Sequence, residues 1–200
     1  MSGKRHPDSL DGVYYSEDFL RSALIVIDMQ NYFLSPDSPA YMHSGVKIIS
    51  NVIKIIELFK KRSMPIFFTI QANNNSKDNM MYKWWKRLPQ KDTYYSTLIK
   101  QLSVYNYPII YKEHYSIFFD TDLNRRLEKH GIENLYFTGI QTHLCVETSI
   151  RHAFMLNYES ILVSDATTSK RIENYNASIL NLKHGFCKII SSEDVINEGI

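Results

Sequence analysis

The chain reads as a three-layer α/β/α protein built on a six-stranded, mainly parallel sheet, and three observations predict it. Short apolar runs end abruptly at polar residues, as strands buried on both faces do. Apolar residues spaced by three and four follow these runs, which is the stripe of an amphipathic helix. The two patterns alternate from end to end, the mark of βαβ units.

The first strand is Ala23–Ile27, halted at Asp28. Val46, Ile49, Val52, Ile53, Ile56 and Phe59 then mark a helix, and Pro65 opens the second strand, Ile66–Ile70. Residues 71–92 break the pattern, with a polar Ala72-Asn73-Asn74-Asn75-Ser76 stretch before Met81, Trp84, Trp85 and Leu88, a short helix ended by Pro89. Pro108–Tyr111 is the third strand. Asp120-Thr121 is expected to cap a helix carrying Leu123 and Leu127 and stopped by Gly131. Leu135–Gly139 is the fourth strand, followed by a helix around Val146, Ile150, Ala153 and Phe154. Ser160–Val163 is the fifth strand. Ile172, Tyr175, Ile179 and Leu182 mark the next helix, and Cys187–Ile190 is the sixth strand.

Two hundred residues suit one domain, expected over residues 1–200 with residues 1–20 as a polar, Tyr-rich N-terminal arm. Lys plus Arg number 23 against 21 Asp plus Glu, a balance that gives no footing for nucleic acid or an anionic membrane. The opening MSGKRHPDSLDGVYYSED lacks the apolar core of a signal peptide, and the run Ala23–Ile27 is too short to span a bilayer. Two cysteines, Cys145 and Cys187, make no disulfide framework, so both thiols are expected free in a cytoplasmic protein.

Ligands of open α/β sheets bind at the carboxyl ends of the strands. Four reactive side chains fall there: Asp28 after strand one, Lys112 after strand three, Cys145 beyond strand four and Asp165 after strand five. A lone cysteine is usually an inert buried residue. Cys145, however, follows a strand-to-helix turn, Gly139 to Leu144, where helix N–H groups favour a thiolate and can hold an oxyanion. Asp28 alone reads as well as a turn cap as it does as a desolvated base for that thiol. Lys112 alone reads as a surface charge, but beside a carboxylate and a thiolate it would bind both. Asp165 is expected to brace the loop into the next helix. The seven His form no metal set, and no HExxH, CxxC, GxGxxG, Walker or G-x-S-x-G motif occurs.

Three segments carry a resemblance: ALIVIDMQNYF at 23–33, YKEHYSIFFDTDL at 111–123 and TGIQTHLCVETSIRHAF at 138–154. They are similar to the motifs of the isochorismatase-like cysteine hydrolase superfamily, most of all its N-carbamoylsarcosine amidase-like branch. The resemblance implies a Rossmann-like α/β fold and a catalytic triad of Asp28, Lys112 and Cys145. It also implies a cis peptide joining Ile140 to Gln141, and an oxyanion hole made by the backbone N–H groups of Gln141 and Cys145. Phe33, Asn73 and Trp84 are the expected substrate-pocket residues, with the 71–92 region covering the pocket.

Nicotinamidases of the superfamily carry a metal-binding Asp-x-His after strand two. This chain has Gln71-Ala72-Asn73 there, so no metal and no cofactor are expected. The implied activity is thioester-forming cleavage of a C–N bond in a small amide or N-carbamoyl compound. Isochorismatase-type enol-ether hydrolysis, nicotinamidase activity and a non-enzymatic binding role are the alternatives. A small-molecule substrate, no nucleic-acid or membrane partner, and a homodimer or homotetramer are expected.

Overall fold

A computed structural model of the chain describes residues 21–74 and 78–197. The expected N-terminal arm lies outside the described residues. Six strands form one sheet: β1 (Ser22–Ile27), β2 (Ile66–Gln71), β3 (Ile109–Lys112), β4 (Asn134–Ile140), β5 (Glu159–Thr168) and β6 (Lys188–Ile190). Their order is β3-β2-β1-β4-β5-β6 and every pairing is parallel. The chain therefore reverses its winding between β1 and β4, which opens a crevice at their carboxyl ends.

The helices are α1 (Asn31–Leu34), α2 (His43–Lys47), α3 (Ile49–Lys61), α4 (Met80–Trp85), α5 (Leu123–Lys129), α6 (Glu147–Met155), α7 (Ile172–Gly185) and α8 (Ser192–Asn197). The continuous apolar run of β1 has a simple cause. Successive side chains point to opposite faces, and both faces are covered. Leu24 and Val26 enter one core with Val52, Ile55, Ile56 and Phe59 of α3 and Val195 of α8. Ala23, Ile25 and Ile27 enter the other with Leu123 and Leu127 of α5, Ile150 and Ala153 of α6, and Leu182 of α7. Among the described residues no helix is long and apolar enough to cross a membrane.

The structure departs from the sequence reading at three places. The helix begun by Met81 stops at Trp85 rather than reaching Leu88, because Lys86 takes a left-handed φ of 61°. The chain then turns back so that Asn73 N donates to Pro89 O (2.8 Å). The cap position of α5 is Asp122, not Asp120-Thr121. Thr121 instead donates its hydroxyl to Ile117 O (2.5 Å), and Asp122 accepts from Arg126 Nε (2.9 Å). Lastly, β5 runs on to Thr168, past a register shift between Phe137 and Gly139, so that Asp165 sits within the strand. It caps α8, not the next helix: Ser192 N donates to Asp165 Oδ1 (2.7 Å), and Ser192 Oγ and Asn51 Nδ2 donate to Oδ2 (2.6 and 3.0 Å).

Candidate active site

Two of the three side chains of the predicted triad are delivered by the end of a strand and the third by the turn that follows one. Asp28 follows Ile27 directly, in a left-handed conformation with φ 52°, which Asp adopts more readily than most side chains. Lys112 is the last residue of β3 and Gln71 the last of β2. Cys145 sits in a single π-helical turn, Thr142–Val146, between β4 and α6, where an α-helix start was expected.

Gly139 makes this packing possible. At its φ of 102°, an added Cβ would lie 2.1 Å from Ile27 O, so the turn into the cysteine segment passes directly against the end of β1. Side chains from β5 and α6 hold the turn. Thr167 Oγ1 donates to Gly139 O (2.8 Å), Thr142 Oγ1 bonds Thr167 Oγ1 (2.8 Å), and Ser149 Oγ donates to Cys145 O (2.6 Å). The Ile140–Gln141 peptide is cis.

The three side chains meet. Lys112 Nζ donates to Asp28 Oδ2 at 2.8 Å, to Gln71 Oε1 at 3.0 Å and to His114 O at 3.2 Å, and it lies 3.4 Å from Cys145 Sγ. The Asp28 carboxylate lies close enough for its charge to act on the thiol. Its other oxygen accepts from Thr69 Oγ1 (2.7 Å). The Asp28 and Lys112 side chains are 0% exposed, so this ion pair is fully withdrawn from water.

That burial sets the charges. Desolvation alone would lower the Lys112 ammonium, but Asp28 and Cys145 more than offset it, and the net shift is upward. Burial pushes the Cys145 thiol well above its ordinary range. Lys112 pulls it part of the way back, while the Asp28 charge pushes it further up. Burial thus works against the thiolate that a helix terminus alone would favour, and the Cys145 side chain faces the Asp28–Lys112 pair. The arrangement can move the thiol proton to Asp28 when the sulfur attacks.

Two carboxamides hold Lys112 and the end of β2 in place. Gln71 Nε2 donates to Asn73 Oδ1 (2.7 Å), and Asn73 Nδ2 to Glu113 O (3.0 Å). Gln30, wholly buried, accepts from Gln71 N (2.8 Å) and donates to Gln71 O and Tyr95 O (both 2.9 Å). Gln71 and Asn73 stand where a metal-binding Asp-x-His would follow strand two. The Gln71 oxygen already accepts from Lys112 and the Asn73 oxygen from the Gln71 amide, so this donor set does not fit a metal ion. No group of three or more His, Cys, Asp or Glu among the described residues could hold one.

Above the thiol lies a cavity of about 90 Å³ lined by Tyr32, Phe33, Met81, Trp85, Arg87 and Tyr115, together with Gln71, Gln141 and Leu144 at its deeper end. This is far smaller than the ~300–1,000 Å³ of pockets for drug-sized ligands. Of the expected pocket residues, Phe33 lines it. Asn73 is buried behind Gln71. Trp84 is 74% exposed and borders a separate open groove with Met80 and Phe119. The wall tryptophan is Trp85, whose Nε1 donates to Tyr115 Oη (2.6 Å). A helix of six residues presents neighbouring side chains about 100° apart, and the sequence does not say which tryptophan faces inward. Tyr32, Arg87 and Tyr115 were missed because they lie on segments whose direction only the tertiary structure sets. Cys187 is half-buried against the core on the α7 side.

The comparisons with known proteins give the family and the fold. A family model described as the isochorismatase domain matches residues 22–194. Nicotinamidase 3 of Arabidopsis thaliana is 30% identical over 177 residues, covering 86% of this chain and 85% of that protein. A ureidoacrylate amidohydrolase, RutB, of Caulobacter vibrioides is 30% identical over 175 residues, covering 73% of this chain and 76% of its own. The crystal structure of N-carbamoylsarcosine amidase from Thermoplasma acidophilum superimposes with a TM-score of 0.76 at 24% identity, covering 86% of this chain and 96% of that one, a likeness of fold.

Proposed function

The chain belongs to the isochorismatase domain family, and from that premise we propose that it is a cysteine-dependent amidohydrolase cleaving the C–N bond of a small amide or N-carbamoyl compound. The observation that carries this reading is the buried contact set in which Lys112 Nζ lies 2.8 Å from Asp28 Oδ2 and 3.4 Å from Cys145 Sγ, at the floor of a small cavity. Relatives named as a nicotinamidase and a ureidoacrylate amidohydrolase support the same reaction class.

The chemistry follows from the charges. Asp28 takes the Cys145 proton as sulfur bonds to the substrate carbonyl carbon, and the carbonyl π electrons move onto oxygen. The backbone N–H groups of Gln141 and Cys145 hold that oxyanion. When the C–N bond breaks, Asp28 returns the proton to the departing nitrogen, leaving a thioester and ammonia or an amine. Water then attacks the thioester with Asp28 as base, the C–S bond breaks, and Asp28 re-protonates the sulfur. The Lys112 ammonium, held charged by its neighbours, offsets whichever of Asp28 and Cys145 is anionic at each step.

The test is ammonia release from a panel of small amides and ureido compounds that includes nicotinamide. At least one should be hydrolysed, and Cys145→Ala should lower kcat/KM by a factor of about 10³ or more. Full activity in Cys145→Ala would overturn the mechanism. Pyruvate formed from isochorismate independently of Cys145 would assign the chain to enol-ether hydrolysis instead.

A further inference from the structure

Resting on the amidohydrolase reading, we propose that the pocket selects substrates bearing a carboxylate, small ureido or amido acids, with the Arg87 guanidinium as the group that binds it. Among the described residues lining the cavity Arg87 carries the one permanent charge; the others are aromatic, aliphatic, thioether, carboxamide or thiol. Deeper in, the charge of Asp28 is already matched by Lys112. The site therefore has a neutral floor and one cation on its wall.

The backbone at Arg87 is tied down on both sides. Tyr32 Oη donates to Arg87 O (2.7 Å), Arg87 N donates to Trp85 O (2.7 Å), and two residues on Asn73 N holds Pro89 O (2.8 Å). This ties the segment after α4 to α1 on one side and to the end of β2 on the other. The guanidinium lies close enough to Tyr32 to offset part of the rise that burial imposes on that phenol.

The charge of Arg87 is also unspent. Arg126 is paired with Asp122 (2.9 Å), Arg151 with Glu147 (2.7 Å), and Arg21 with Glu133. Among the described residues no carboxylate pairs with Arg87. A guanidinium fork suits a carboxylate bidentately, and Arg87, itself exposed, presents that fork at the rim of the aromatic-walled cavity. A neutral amide of the same size would leave that cation without a counter-charge. The cavity's small volume adds the second constraint: the carboxylate and the scissile group must be separated by only a few atoms.

The experiment uses three acids, N-carbamoylglycine, N-carbamoyl-β-alanine and succinamate, each against its own methyl ester. Binding to the Cys145→Ala protein is measured by calorimetry, which needs no turnover. At least one acid should bind roughly tenfold or more tighter than its ester. Arg87→Gln in the same background should bring that ratio close to one, and Arg87→Lys should keep part of it. Equal binding of acid and ester throughout, or a ratio untouched by Arg87→Gln, overturns the proposal. Ammonia release by the wild-type protein separates the two readings. Hydrolysis without discrimination retires the anion site alone. Discrimination without hydrolysis of any amide retires the hydrolase reading and leaves a carboxylate-binding pocket.

Discussion

Lys112→Met tests the central feature of the site, because it strips the counter-charge from Asp28 while keeping most of the side-chain volume. In the native protein the Asp28 carboxylate, 0% exposed, is held by Lys112 Nζ at 2.8 Å and by Thr69 Oγ1 at 2.7 Å. With lysine gone, the hydroxyl of Thr69 remains but the charge has no partner. Removing one member of a buried pair costs about 3–5 kcal/mol, because an uncompensated ion is left out of water. For a chain of this size, where 1 kcal/mol moves Tm by ~2–4 °C, that is a drop of ~6–20 °C. Asp28→Asn/Lys112→Met removes both charges and leaves an oxygen for Thr69, so it should recover about 2 kcal/mol or more of the loss. Urea unfolding of wild type, both single variants and the double variant closes the cycle, and ammonia release should be lost in all three variants. A single variant within about 1 kcal/mol of wild type would refute the reasoning, since such a cost belongs to a solvated surface pair. So would a double variant as unstable as Lys112→Met.

Asp165→Ala should cost about 2 kcal/mol by uncapping α8 and releasing Asn51, while the kcat of the folded fraction stays unchanged, since Asp165 lies outside the cavity; denaturant midpoints and ammonia release check both halves. Gly139→Ala should abolish soluble expression or cost more than about 4 kcal/mol, because its Cβ meets the Ile27 backbone at 2.1 Å; a well-folded variant by circular dichroism would contradict this. Burial raises the Cys145 thiol, and it raises Cys187 to about 12. An acid whose folded pKa is raised stabilises the fold below its unfolded pKa, ~8.5 for a thiol, and loses that stabilisation as pH climbs toward the folded value. Stability should therefore begin to fall near pH ~8.5 and keep falling toward the folded value of about 12, and Cys187→Ala should flatten the fall; urea midpoints from neutral pH into that range give the answer.

Much of the fold was legible because its cause is local. A run such as Ala23–Ile27 must be buried on both faces, and both faces are filled, one by α3 and the other by α5, α6 and α7. Polar residues that end such runs gather at the carboxyl edge of a parallel sheet, which is why Asp28, Lys112 and Cys145 could be picked out as a group. Helix ends were less legible: α4 stops three residues early because the chain must return to β2, and Asp165 serves α8, 27 residues on, rather than its own neighbour.

What the sequence by itself determined, then, is the order of the layers and the edge on which the chemistry gathers, since strand and helix periods are written into neighbouring residues. Only the tertiary structure decided how the site is charged and walled. Lys112 and Asp28 are 84 residues apart, and their contact, with its effect on the thiol, exists only once β1 and β3 share a sheet. The placing of Trp85 rather than Trp84 on the cavity, the carboxamide brace of Gln71 and Asn73, and Arg87 on the wall arise from segments whose direction depends on what they pack against. Periodicity says which face of an element is apolar; it carries no information about where a loop's side chains meet those of another strand.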